Sequence, residues 1–253
     1  MQRVKMSHRI SHYLSGLVAI VLFNSSIAAG LHAYTEDLPP LNYLQQGQLQ
    51  GYSVELLQII AHNAGINIDI EVLPWARAVA TADVDPNSIL FTVARTPARE
   101  EQYQWLGPIS KRRIVLIKLA NRGHIQAKTV EDAKKYTVSA VRDSASAKKL
   151  QQLGFILGKS LDLSPNDAIS FKKLIKQRTD IIAILDWGAA WQAREQGLKY
   201  TQLSTIVVLD DDLDYYFALN NKINPLLFAR LKAALAQVEK TGKIEQLRHK
   251  YFN

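Results

Sequence analysis

Cysteine is absent from the 253 residues. That removes disulfide frameworks, thiolate metal sites, iron–sulfur clusters and thiol nucleophiles together. No apolar run reaches the roughly 20 residues that cross a bilayer. A Gly-x-Ser-x-Gly elbow, a phosphate-cradling glycine loop and a zinc-protease helix are all missing. Histidine is sparse: His8, His12 and His32 lie near the N-terminus, and His62, His124 and His249 are scattered without metal-ligand spacing. Asp210, Asp212 and Asp214 have the alternate spacing that opens a calcium loop, but Tyr215 and Asn221 stand where that loop needs Gly and Glu. The aspartates therefore read as a solvated connection. No catalytic residue, metal or cofactor is expected, and the chain does not read as an enzyme.

What the sequence does have begins with a leader. Arg3, Lys5 and Arg9 precede an apolar stretch from Leu14 to Phe23, and small residues follow at Ala28-Ala29-Gly30. This is the pattern of a signal peptide over 1–29, with cleavage within 28–33. The leader holds three of the 31 basic residues and none of the 23 acidic ones, so the mature chain carries 28 against 23, or +5. Such a mild excess does not argue for nucleic acid. With no Cys to take a lipid, the product is expected free and soluble in a periplasm.

After the leader, β-branched runs alternate with helical stretches. Strands are expected at 31–35, 68–73, 89–93, 113–119, 137–141, 181–185, 206–209 and 215–219. Helices are expected from Ser53 as N-cap to a stop at Gly65, then over 144–153, 168–177, 187–196, 225–240 and 243–251. Alternation of this kind predicts an α/β fold with mostly parallel sheet. Polar breaks at Asn121–His124 and Asp210–Asp212 imply a discontinuous first domain, 30–120 with 210–253, and an inserted second one, 121–209.

Several stretches, in order, resemble one family. Asp37-Leu38-Pro39-Pro40-Leu41-Asn42-Tyr43 leads to Gly51-Tyr52-Ser53-Val54-Glu55. Then come Leu73-Pro74-Trp75-Ala76-Arg77-Ala78, Thr92-Val93-Ala94-Arg95-Thr96-Pro97-Ala98-Arg99, Trp105-Leu106-Gly107-Pro108-Ile109, Val141-Arg142-Asp143-Ser144-Ala145 and Asp180 through Trp187. This series is similar to the amino-acid-type (family 3) periplasmic solute-binding proteins of ABC transporters. The resemblance implies a two-lobe periplasmic-binding-protein-like fold (type II). It would have two mixed sheets flanked by helices and a two-strand hinge, and would close on a small-molecule ligand. It also implies a monomer, delivery to an inner-membrane ABC permease, and an amino acid or related carboxylate as ligand.

Carried over residue by residue, Arg99 matches the arginine that grips a ligand carboxylate, for which a guanidinium offers a rigid fork. Asp186 matches the carboxylate that meets a ligand ammonium, and could equally cap the following helix. Ser144 matches a second-lobe Ser/Thr at a helix start, where a plain N-cap is the alternative. Trp75 matches an aromatic packing on the ligand, against core packing as its bland alternative. Thr92 and Ala94 would line the first lobe, and Arg95 and Arg142 are secondary candidates.

Departures from the family pattern restrict the ligand class. Ala94 replaces a hydroxyl residue, Asp143 replaces a Gly, and Leu38 occupies a place often aromatic. The alternatives are a cyclohexadienyl-dehydratase-like enzyme on the same fold, needing a cleft acid or base, and a ligand-sensing module without transport.

Overall fold

The computed structural model describes residues 30–252; the expected leader lies outside them. The chain opens with β1 (Leu31–Thr35), the hairpin strands β2 (Tyr43–Gln45) and β3 (Gln48–Gln50), and helix α1 (Tyr52–Ala64). Helix α1 turns Val54, Leu57, Ile60 and Ala61 inward, at the i, i+3, i+4 spacing of one helical face. Gly65 ends it in the left-handed region at φ 62°, donating to the carbonyl of His62. Its start differs from expectation. The N-cap is Gly51 at φ 130°, and Ser53 is buried inside the first turn. A Cβ on residue 51 would strike the Leu41 carbonyl, so close backbone approach, not side-chain capping, sets this boundary.

Next come β4 (Ile68–Val72), α2 (Trp75–Val84), β5 (Ser88–Ala94), a 3₁₀ turn at Pro97–Arg99 and the 17-residue β6 (Tyr103–Leu119). The second half adds α3 (Val130–Ala133), β7 (Val138–Val141), α4 (Ala145–Gln152), β8 (Leu161–Ser164), α5 (Asp167–Ile175), β9 (Ile181–Leu185) and α6 (Asp186–Glu195). The 18-residue β10 (Leu203–Asn220) returns to the first half, where α7 (Pro225–Lys240) and α8 (Lys243–Phe252) complete it.

Eight strands form one ladder in the order β4-β1-β5-β10-β6-β9-β7-β8. Pairing is parallel for β4-β1-β5 and for β9-β7-β8, and antiparallel wherever β6 or β10 takes part. The two expected mixed sheets are joined through the long strands they share. Apolar residues collect in clusters toward the two ends. One contains Leu31, Leu57, Phe91 and Phe217, and also takes in Trp187 and Trp191 of α6; another contains Leu116, Val138, Leu150 and Ile181. Thus β6 and β10 alone carry the sheet from one half to the other.

The expected break at Asp210–Asp212 is a correction. These residues lie within β10, where the ladder slips: Asp210 opposes Ile114 and Leu213 opposes Arg112, so two residues face one. Charge punctuates the sequence here, but the backbone continues as a bulged strand that bends without ending. Among the described residues, no helix is long and apolar enough to cross a membrane.

Candidate functional site

In open α/β sheets, ligands bind beyond the carboxyl ends of the strands. The candidate residues of this chain gather there. Glu36 follows β1, Trp75 follows β4, Ala94 ends β5, and Arg99 closes the 3₁₀ turn after it. Across the bend, Ser144 follows β7, Asp167 follows β8 and Asp186 follows β9.

Arg99 is partly buried. Its Nη1 donates to the Ala94 carbonyl at 3.4 Å, and its guanidinium carbon lies 5.4 Å from the centroid of the Trp75 ring. Trp75 is the first residue of α2, behind Pro74, whose fixed φ suits a helix start. The neighbouring acid Glu100 does not pair with Arg99. It is taken by Arg95, whose Nε donates to Oε2 at 2.8 Å and whose Nη2 meets Oε1. Arg95 also sits 5.6 Å from the Trp105 centroid and 5.3 Å from that of Tyr216, and it holds the Glu100 carboxyl below its ordinary range. Among the described residues Arg99 has no carboxylate partner. Of two arginines four positions apart, one is neutralised and the other is available.

Thr92 is the extra residue of a bulge, since Val93 pairs with Tyr216 and Phe91 with Phe217. It holds φ 62°, an uncommon state for a β-branched residue. Its hydroxyl donates to Asn42 Oδ1 at 2.6 Å, and Asn42 donates in turn to the Glu36 carbonyl. That hydroxyl is committed within the protein, tying β5 to the turn after β1.

On the other side, Ser144 is the N-cap of α4: its Oγ accepts from Ala147 N at 3.1 Å and lies 2.8 Å from Ser146 Oγ. Asp143 has φ 60°, the left-handed state for which a glycine is the default. Asp186 begins α6, accepts from the Trp187 backbone N–H at 2.7 Å and lies 3.7 Å from Arg113 Nη1. Burial nevertheless holds its carboxyl above the usual range. Arg142 is exposed and borders a separate groove with Lys159 and Leu157 along β8. Among the described residues no hydrogen bond or ion pair joins Ser144 or Asp186 to Arg99, Thr92 or Ala94. The two groups face the bend from separate halves.

Four residues at the bend were not foreseen. Arg112 is 7% exposed, stands 3.4 Å from Asp210 Oδ2 and keeps Nη1 without a hydrogen-bond partner. Glu36, Arg112 and Asp167 lie close enough to buried Tyr215 for their charges to act on its hydroxyl. Burial raises the carboxyls of Glu36 and Asp167, the latter to about 6. A basic residue inside an otherwise apolar strand, as in Lys111-Arg112-Arg113-Ile114-Val115, was the available signal for Arg112. Asp167 could be found only once β8 was known.

Two α/β halves joined by two long strands, with polar groups from both at the strand ends, define a two-lobed ligand-binding protein of the periplasmic-binding-protein type. The comparisons agree. Residues 32–253 match the bacterial extracellular solute-binding proteins, family 3, and the chain belongs to that family. It is 24% identical over 226 residues to the probable amino-acid-binding protein YxeM of Bacillus subtilis (strain 168), covering 85% of this chain and 80% of that protein. Its fold is similar to that of a histidine kinase sensor domain with similarity to periplasmic binding proteins. There the TM-score is 0.70 with 23% identity, covering 89% of this chain and 96% of the other. It is equally similar to substrate-binding domain 2 of Lactococcus lactis GlnP in an open conformation, with TM-score 0.70, 19% identity, and 88% and 94% covered.

Proposed function

We propose that the protein is exported to a periplasm and captures a small carboxylate, an amino acid or close relative, by closing two lobes around it for delivery to an ABC permease. Lobe 1 comprises 30–120 and 210–253, and lobe 2 comprises 121–209. The bulge at Asp210–Leu213, between two clusters of apolar residues, supports that division, with Trp187 and Trp191 of 121–209 reaching across to pack with the first cluster. Arg99 takes the carboxylate, with Trp75 against the rest of the ligand and the backbone of Thr92 and Ala94 beside it. Asp186 and the helix start at Ser144 meet the ligand from lobe 2. Closure is driven by contacts that exist only when both lobes touch the ligand.

The observation that carries this reading is the free Arg99. A partly buried guanidinium stacked on an indole, with its local acid diverted to Arg95, is poised for an anion brought from outside. Thermal-shift screening of the mature protein against amino acids, dicarboxylates, oligopeptides and polyamines tests it. A carboxylate ligand should stabilise the wild type and not Arg99→Ala. Stabilisation by polyamines alone would overturn the assignment.

One observation favours a second reading. Asp167, with a carboxyl at about 6, meets the need of a dehydratase-like enzyme for a cleft acid. Turnover of prephenate or arogenate, lost in Asp167→Asn, would establish it.

A further inference from the structure

Beside α6 lies a cavity of about 660 Å³ that the cleft reading does not use. Its size is that of a small-molecule site. It shares Asp186 with the proposed cleft and includes none of Arg99, Trp75, Thr92, Ala94 or Ser144. One wall is α6, through Trp187, Trp191 and Arg194; another is α8, through Arg248 and Tyr251; Ser110 and Lys111 of β6 also border it.

Three features define what it would hold. The first is an aromatic lining from Trp187, Trp191, Tyr200, Tyr251 and Phe252, in which the two indoles are themselves core residues and Trp191 packs 4.6 Å from Tyr43. The second is a pair of orphaned polar atoms, Ser110 Oγ and Trp187 Nε1, which lack any hydrogen-bond partner although their residues are only 6% and 8% exposed. A buried donor without an acceptor carries the full cost of its lost hydration. Both atoms are closed off from the cavity in this structure, so they partner a guest's acceptor oxygens only if the Ser110 and Trp187 side chains turn toward it. The third is charge. Arg194 lies 4.5 Å from the Trp191 centroid and has no ion pair among the described residues. Arg248 ion-pairs with Glu245 of its own helix at 3.1 Å and also reaches the Tyr52 hydroxyl, and Lys111 pairs with Asp214 at 2.9 Å. Against these three cations the lining offers one carboxylate, Asp186, which faces Arg113.

We infer that this cavity is a second binding site, for a small aromatic carboxylate. The ring lies against the indoles, and the carboxylate turns to Arg194 and Arg248. Helix α6 already packs with α8 through Trp187 and Trp191, so an occupant adds to an existing contact between the two helices. The inference does not rest on Arg99, Trp75 or Ser144, and Asp186 is the one residue it shares with the proposed cleft.

Phenylacetate is the probe. The chain has 4 Trp, whose indole N–H signals in a ¹⁵N-labelled sample are assignable with single Trp→Phe variants. Titration should shift the Trp187 and Trp191 signals saturably and leave those of Trp75 and Trp105 in place. Phenethylamine and benzyl alcohol should produce no such shift. Arg194→Gln and Arg248→Gln, both at exposed positions, should each weaken phenylacetate about tenfold without lowering the melting temperature. Arg99→Ala should leave its affinity unchanged. No saturation by about 1 mM, equal binding of phenethylamine, or loss of binding in Arg99→Ala would each overturn the assignment.

Discussion

The Arg99 guanidinium rests 5.4 Å from the centre of the Trp75 ring. This contact links the carboxyl ends of two strands, β4 and β5, that do not pair with each other. The guanidinium gives one N–H, on Nη1, to the Ala94 carbonyl, and its remaining N–H groups are those that can bond a carboxylate. Arg95 shows the opposite outcome four residues earlier: its edge is filled by Glu100 and its plane lies near Trp105 and Tyr216. Equal charge at neighbouring positions therefore has unequal use.

Affinity for a carboxylate ligand should fall roughly tenfold to a hundredfold in Arg99→Ala, the loss expected of one charged hydrogen-bonding group. Arg99→Lys should retain part of it, since a lysine keeps the charge but not the fork. Arg95→Ala should change affinity little. Isothermal titration separates the three, and a larger loss at Arg95 than at Arg99 would reverse their roles.

Stability should be sensitive at Gly51. Its φ of 130° and the approach of the Leu41 carbonyl leave no room for a Cβ, so Gly51→Ala should cost more than about 2 kcal/mol. Gly47→Ala is the control, because φ there is 77° but nothing lies near a new Cβ. Its cost should stay at about 1 kcal/mol. Similar urea midpoints for the two variants would contradict the close-approach argument.

Much of this was legible in the sequence. The β-branched run Ile181–Leu185 located β9 and the largely apolar stretch Leu31–Thr35 located β1, both to the residue, and Pro225 and Lys240 correctly bounded α7. Two separate motifs named Trp75 and Arg99, and the contact between them was not foreseen. What could not be read was anything decided by partners distant in sequence. Asp210–Asp212 looked like a break because charge marks loops on average, yet pairing with β6 carries the strand through. β8 escaped notice because Leu161-Asp162-Leu163-Ser164 is short and alternating, and Asp167 was overlooked with it. Thr92 was expected to line the first lobe, but its hydroxyl is held by Asn42, 50 residues away, a partner that no local pattern shows.

Export should cut the chain before β1. Strand β1 begins at Leu31 and pairs with both β4 and β5, so removal of residues to Ala33 would delete half of a central strand. The mature N-terminus should fall at or before residue 31, which intact-mass measurement of the secreted protein reads directly. A product starting at Tyr34 would be incompatible with this sheet.

Acid should stabilise the ligand-free protein through Asp167. Its carboxyl sits at about 6 against an ordinary 3.8, and burial is the cause. The folded state therefore holds this proton more tightly than the unfolded chain does. The contribution is fully present below about pH 4 and is lost as pH rises through about 6. Glu36 acts in the same direction, since burial raises it too, whereas Asp85 is lowered through its bond to His32 and its neighbours and opposes them. The difference between wild type and Asp167→Asn isolates one group from this mixture. Asp167→Asn should melt a few degrees higher at pH 7, and the two curves should converge as the pH approaches 4. Because an amide cannot ionise, the variant should lose the part of the wild type's downward slope that Asp167 contributes, and keep the part from Glu36 and Asp186. Parallel curves from pH 4 to pH 7 would mean that Asp167 ionises as freely in the folded protein as in the unfolded chain.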